Sequence, residues 1–327
     1  MLICPHCEQA LTRDGQVYRC PQGHTFDVAR QGYVNLLRRP TKLPSDTKEM
    51  LAARRRFLAR GYYEPLAEAI ASTMSDWLRI RSAPADQTAG GVLDAGCGEG
   101  YFTRAVARAL ADVGWAPSEA NDTPSVELTR TVLPVTGGAF SPHIYSIDLA
   151  RDAVSMAARY ARSAPDADAP VERTVERQMM WLVANIKERL PFADASIGAI
   201  MNVFAPHNAV EFARILAPGG LLLLVIPTPT HLLTARAPLQ LLDIEPNKRL
   251  RLLTQLEDDF VLAHEQSLTY SMALDAAAQS DLRMMAPHKA TQREGADAHT
   301  AQPALETPTT LITDAAFSLL AFVRKAL

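Results

Sequence analysis

One string constrains the fold of this chain more than any other: Gly91-Val-Leu-Asp94-Ala-Gly96-Cys97-Gly98-Glu99-Gly100-Tyr101-Phe102-Thr103, followed by alanine-rich sequence to about Ala111. A short apolar run that meets closely spaced glycines and then a helical pattern reads as strand, tight turn and helix, the unit from which α/β sheets are built. The glycines let backbone approach a ligand where side chains would block it. The spacing departs from the dinucleotide fingerprint G-x-G-x-x-G, and Glu99 stands inside the turn, where a pyrophosphate would be repelled. A carboxylate there suits a cationic or phosphate-free ligand. Asp94, Gly96, Gly98 and Glu99 are therefore expected to line a cofactor site.

The chain continues the alternation. Ile144 to Asp148 ends a strand in an acid and enters a helix, so Asp148 is the candidate for ribose hydroxyls, with Asp152 in the first helical turn. The distance from the glycine turn is long, so residues 112–142 read as an insertion, and 163–173 as a second, polar one. Strands are expected at 181–185, 197–201 and 221–226, with a helix from Ala209 to Leu216 between the last two. The all-apolar Leu221–Ile226 run implies a parallel sheet covered on both faces. Asn202, Phe204 and His231 then fall at carboxyl ends of strands, where such sheets bind ligands. Phe260 to Leu274 and Thr309 to Phe322 alternate and suit an antiparallel edge pair.

At the N-terminus, Cys4-Pro-His-Cys7 and Cys20-Pro-Gln-Gly-His24 flank a hairpin-like stretch with Asp14-Gly15 as its turn. CxxC followed by CxxxH offers three thiolates and an imidazole to a tetrahedral zinc, in a segment too small for a core of its own. Cys4, Cys7, Cys20 and His24 are the expected ligands; His6, inside the first knuckle, is the competing donor. Four protein ligands leave no open position, so the zinc is expected to be structural.

Composition sets the outer bounds. With 327 residues, 48% of them hydrophobic and 21% charged, the chain can bury a large core. Its longest apolar stretch is far short of a membrane span and its start lacks a signal-peptide pattern, so a cytoplasmic protein with no membrane contact is expected. The net charge of −3 conceals a basic N-terminal part: residues 1–65 carry 11 Lys and Arg against 6 Asp and Glu. The basic run includes Arg54, Arg55 and Arg56, and points to a polyanionic partner. Three units follow: a zinc module over 1–40, an arginine-rich helical connector over 41–85, and an α/β domain over 86–327 with the two insertions. The fold expected is Rossmann-like, mostly parallel, with an antiparallel C-terminal edge.

The strand-Asp-x-Gly-Cys-Gly-Glu-Gly-helix string resembles motif I of class I S-adenosylmethionine (SAM) methyltransferases. Together with CPHC and CPQGH, Gly32-Tyr-Val-Asn-Leu-Leu37, Ala53-Arg-Arg, Gly61-Tyr-Tyr63, Phe204-Ala-Pro206 and Thr228-Pro-Thr-His-Leu232, it resembles the RlmA/RrmA enzymes over nearly the whole chain. Those are bacterial 23S rRNA guanine-N1 methyltransferases, and His207-Asn208 after Phe-Ala-Pro is closer to the actinobacterial tylosin-resistance branch. The resemblance implies zinc on the four residues above and SAM contacts at Tyr63, Gly98, Glu99 and His231. It also implies methylation of a guanine in a 23S rRNA hairpin, and a homodimer is entertained as an assembly. Asn202 and Phe204 are the catalytic candidates, Phe204 to stack an extruded guanine. The alternative for these two is that Phe204 packs and Asn202 caps a turn. The competing functions are a small-molecule methyltransferase and a non-catalytic zinc-ribbon factor binding RNA or protein.

Overall fold

The computed structural model describes residues 1–39, 46–81, 90–112, 144–163, 179–286 and 309–326. The two expected insertions lie outside the described residues, except for Asp112 and Ser163, which end helices.

Three short strands, β1 (Thr12–Asp14), β2 (Val17–Arg19) and β3 (Thr25–Asp27), form an antiparallel sheet of their own. Gly15 turns the first hairpin at φ +59°, a conformation glycine adopts without strain. All other strands belong to one eight-stranded sheet. Its members are β4 (Tyr33–Asn35), β5 (Val92–Ala95), β6 (Ile144–Asp148), β7 (Met179–Val183), β8 (Ile197–Val203), β9 (Leu216–Pro227), β10 (Phe260–Asp275) and β11 (Thr310–Arg324), in the order β10-β11-β9-β8-β5-β6-β7-β4. From β4 to β9 every pair is parallel; β11 is antiparallel to both β9 and β10. This is the class I Rossmann-like methyltransferase arrangement, with the expected antiparallel edge. The strand order reverses at β5, the position where such sheets bind ligand.

The alternation of side chains along β5 divides the core. Val92 joins the cluster under α1 (Lys48–Ala59), α2 (Glu64–Arg81), α3 (Tyr101–Asp112) and α4 (Arg151–Ser163), whereas Leu93 and Ala95 join the opposite one. The second face is covered by α5 (Ala209–Ile215), α7 (Lys248–Leu256) and the ribbon itself. Leu2, Leu11, Tyr18, Val34 and Leu36 are buried there with Tyr145, Leu182 and Phe192. The N-terminal segment is thus built into the large sheet: β4 pairs with β7, Leu2 bridges Phe192, and Leu36 N–H donates to Val183 O at 2.9 Å.

Two helices carried no clear sequence pattern, α6 (Leu233–Leu239) and α8 (Ala276–Met285). Asp275 caps α8, accepting from Ala278 N–H at 2.7 Å. The helix packs on α1, where Arg56 meets the buried Asp281 at 2.6 Å. No helix among the described residues is long and apolar enough to cross a membrane.

Candidate functional site

The four expected zinc donors converge, their ligand atoms all lying within 4.8 Å of one another. Cys7 Sγ and Cys20 Sγ are 3.5 Å apart, and His24 Nδ1 lies 3.4 Å from Cys20 Sγ and 3.6 Å from Cys4 Sγ. A tetrahedron with Zn–S near 2.3 Å has S···S edges of about 3.8 Å, so the donor set fits the ion. His6 stacks on Phe26 instead. Knuckle and hairpin hold the set on one side, and the sheet packs the other.

The glycine turn follows β5 at the centre of the large sheet. Gly96 is at φ +99°, and a Cβ built on it would lie 2.2 Å from Ala205 Cβ. The turn is therefore pressed against the loop that leaves β8. At Gly100 (φ +84°) a Cβ would meet the Trp181 ring at 2.6 Å. Gly98 (φ +54°) differs: among the described residues beyond its chain neighbours, its Cβ position meets only Arg54 Nη1 within 4 Å, at 3.8 Å, so this is the more open side. Cys97 is buried, and burial pushes its thiol well up.

The carboxylates around the turn have distinct partners. Asp94 is buried and accepts from Thr103 Oγ1 at 2.5 Å; burial pushes its carboxyl up to about 7, with Asp148 acting in the same direction. Asp148 accepts from Gly98 N–H at 2.9 Å and Ala150 N–H at 2.8 Å; burial raises it and these amides oppose the rise. Glu99 has its partner inside the fold. Its carboxylate is 3% exposed and meets Arg104 Nη2 at 3.0 Å, while Arg104 Nη1 donates to Glu99 O at 2.8 Å. The negative charge inside the turn is thus paired within the fold.

Tyr63 and His231 come together from distant elements, Oη to Nε2 at 3.3 Å. Ala316 N–H donates to His231 Nδ1 at 3.1 Å, which puts the proton of the neutral ring on Nε2, donating to Tyr63. Burial, helped by Arg236, pushes His231 down to about 3, so it stays neutral. Phe204 stands beside them. It is 40% exposed, left-handed at φ +55°, and its ring centroid is 6.2 Å from Tyr63, 6.1 Å from Phe102 and 5.3 Å from Phe317. Asn202 spends both amide hydrogens on backbone, reaching Ala95 O at 2.7 Å and Pro206 O at 2.9 Å. It ties the end of β5 to the Phe204 loop.

Three arginines of the basic run have partners within the fold. Arg54 pairs with Asp46, Arg55 stacks over Tyr160 at 5.2 Å, and Arg56 pairs with Asp281. Arg55 and Arg56 thus reach from α1 to two other helices, while Arg54 pairs with the residue just ahead of the cap of its own helix. Arg54 was missed as a neighbour of the glycine turn, although Leu51, Arg54 and Leu58 share a helical stripe that turns it inward.

The zinc-ribbon model described as RlmA, N-terminal, matches residues 2–42. A Streptomyces fradiae 23S rRNA (guanine(748)-N(1))-methyltransferase is 36% identical over 286 residues, 88% of this chain and 84% of its own. The chain belongs to the RlmA family. A Micromonospora griseorubida protein classed by name with the 23S rRNA (guanine-N(1)-)-methyltransferases is 34% identical, covering 84% of this chain and 81% of its own. Both place the RlmA-family chain with the actinobacterial branch. A geranyl diphosphate methyltransferase solved with SAM is 15% identical at TM-score 0.42, covering 86% of this chain and 93% of its own. As an RlmA-family enzyme the chain uses SAM and carries a structural zinc, for which the Cys₃His cluster has the donor set.

Proposed function

We propose that the protein methylates N1 of a guanine held in a hairpin of 23S rRNA, working in the cytoplasm, with Phe204 stacking the extruded base and Tyr63, Asp94, Gly96, Gly98, Asp148 and His231 forming the donor site. The observation that carries this is Phe204. A large aromatic ring left 40% exposed on a strained left-handed backbone, at the carboxyl end of β8 and next to the glycine turn, costs stability unless a ligand covers it. Aromatic faces that receive flipped bases have this character.

SAM supplies an activated methyl group, which leaves the protein to align the acceptor and manage one proton. Asn202 fixes the loop, and through Gly96 and Ala205 the loop and turn share one rigid contact, so stacked base and donor are held in register. His231 is unsuited to accept the guanine N1 proton, because its Nδ1 lone pair already takes the Ala316 amide. It orients the Tyr63 hydroxyl, leaving the Tyr63 hydrogen to donate to a ligand. Glu99 belongs to the same donor site in this reading, and its pairing with Arg104 braces the turn.

The test is methyl transfer from labelled SAM to unmodified 23S rRNA with the modified nucleotide mapped. Position 748, named for the Streptomyces fradiae relative, is the first to inspect. Labelling of guanine N1 is expected. Transfer to a small molecule with none to rRNA would overturn the reading.

A further inference from the structure

We infer that Arg54 receives the α-carboxylate of the methyl donor, releasing Asp46 to do so. The inference rests on SAM binding at the glycine turn and adds the residue that fixes its amino acid end. Amides usually hold anions at such turns, but here those of Gly96, Cys97, Gly98 and Gly100 are spent. Gly96 and Cys97 N–H both donate to Ile147 O, at 2.8 and 3.0 Å, Gly98 N–H to Asp148, and Gly100 N–H to Cys97 O at 2.9 Å. Asp94, Asp148 and Glu99 add carboxylates around the same turn, and Arg104 is committed to Glu99. A carboxylate arriving there needs a cation.

Arg54 has the position and the freedom to supply it. Its Nη1 lies 3.8 Å from the position a Cβ on Gly98 would take, the nearest atom there among the described residues beyond the chain neighbours of Gly98. Its side chain is 27% exposed and its Nη1 lies 2.5 Å from Asp46, whose side chain is 29% exposed and which lies just ahead of the Thr47 cap of α1. A partly solvated ion pair of this kind exchanges one carboxylate for another at small cost, whereas the buried Glu99–Arg104 pair does not. Arginine can also grip a carboxylate with two parallel N–H donors.

Calorimetric titration of the full zinc-loaded chain with S-adenosylhomocysteine and with 5′-methylthioadenosine tests this. The second ligand keeps adenosine and sulfur but lacks the amino acid. Arg54→Met is expected to weaken S-adenosylhomocysteine by about tenfold or more and methylthioadenosine by less than about twofold, as loss of a charge-assisted hydrogen bond requires. Arg54→Lys should fall between, and Asp46→Asn should tighten S-adenosylhomocysteine alone by freeing the guanidinium. Equal weakening of both ligands by Arg54→Met, or no weakening of either, overturns the inference while leaving donor binding in place. A wild-type chain that binds neither overturns the donor site on which it rests.

Discussion

At the residue scale, three side chains carry predictions of different kinds. Phe204→Ala removes the stacking surface, so methyl transfer to rRNA should fall by one to two orders of magnitude, in line with about 1–3 kcal/mol per stacked base. S-adenosylhomocysteine affinity, read by titration, should stay within about twofold of the wild type. Gly96→Ala brings a methyl group to 2.2 Å from Ala205 and forces a non-glycine into φ +99°. Cofactor binding should be lost together with several degrees of melting temperature, measured by differential scanning fluorimetry. His231 gives a pH signature. Its folded pKa, near 3, lies below the unfolded value of about 6.5, so the unfolded chain binds the extra proton and stability drops as pH falls through that window. Between pH 7.5 and 5 this group should cost about 2 kcal/mol in urea denaturation, and His231→Gln should remove that part of the slope. The sequence made the Cys₃His set legible because ligand spacing is local. The roles of Glu99 and Arg104 were not, since a carboxylate in a turn reads the same whether its partner is a ligand or a guanidinium one helical turn on.

At the element scale, the strands were read well and α1 poorly. Apolar runs such as Leu221–Ile226 announce burial on both faces, and the alternation of the last two strands announced an edge pair. For α1, periodicity gave the helix but not what its arginines meet, because their partners Asp281 and Tyr160 lie far away in sequence. The short strand β4 was illegible for a similar reason: Tyr33-Val-Asn35 becomes a strand only through its pairing with β7. Removing the exposed guanidinium in Arg56→Ala leaves Asp281 buried without its cation. A loss of about 1–2 kcal/mol in denaturation free energy is expected, with partial recovery when Asp281→Asn is added. No recovery would mean that the arginine acts through its aliphatic stem.

At the scale of the whole molecule, the ribbon completes the fold rather than hanging from it. Its apolar side forms part of the core shared with Leu182 and Phe192, and its last strand closes the sheet edge. Stripping zinc with a chelator should therefore lower the melting temperature of the entire chain, read by circular dichroism of the helices, rather than melt a small independent unit. An unchanged global transition would show that the sheet stands alone. Deleting residues 1–40 should likewise give an aggregating protein, because it bares the edge of β7. The pairing of Tyr33–Asn35 with Trp181–Val183 has an implication for biosynthesis. A nascent polypeptide exposes its knuckles to the ribosome exit long before the strand that shelters them is translated, so metal captured in that interval must protect both thiols and greasy surface. Yield of active enzyme should then follow zinc supply while translation runs, and late addition should rescue little.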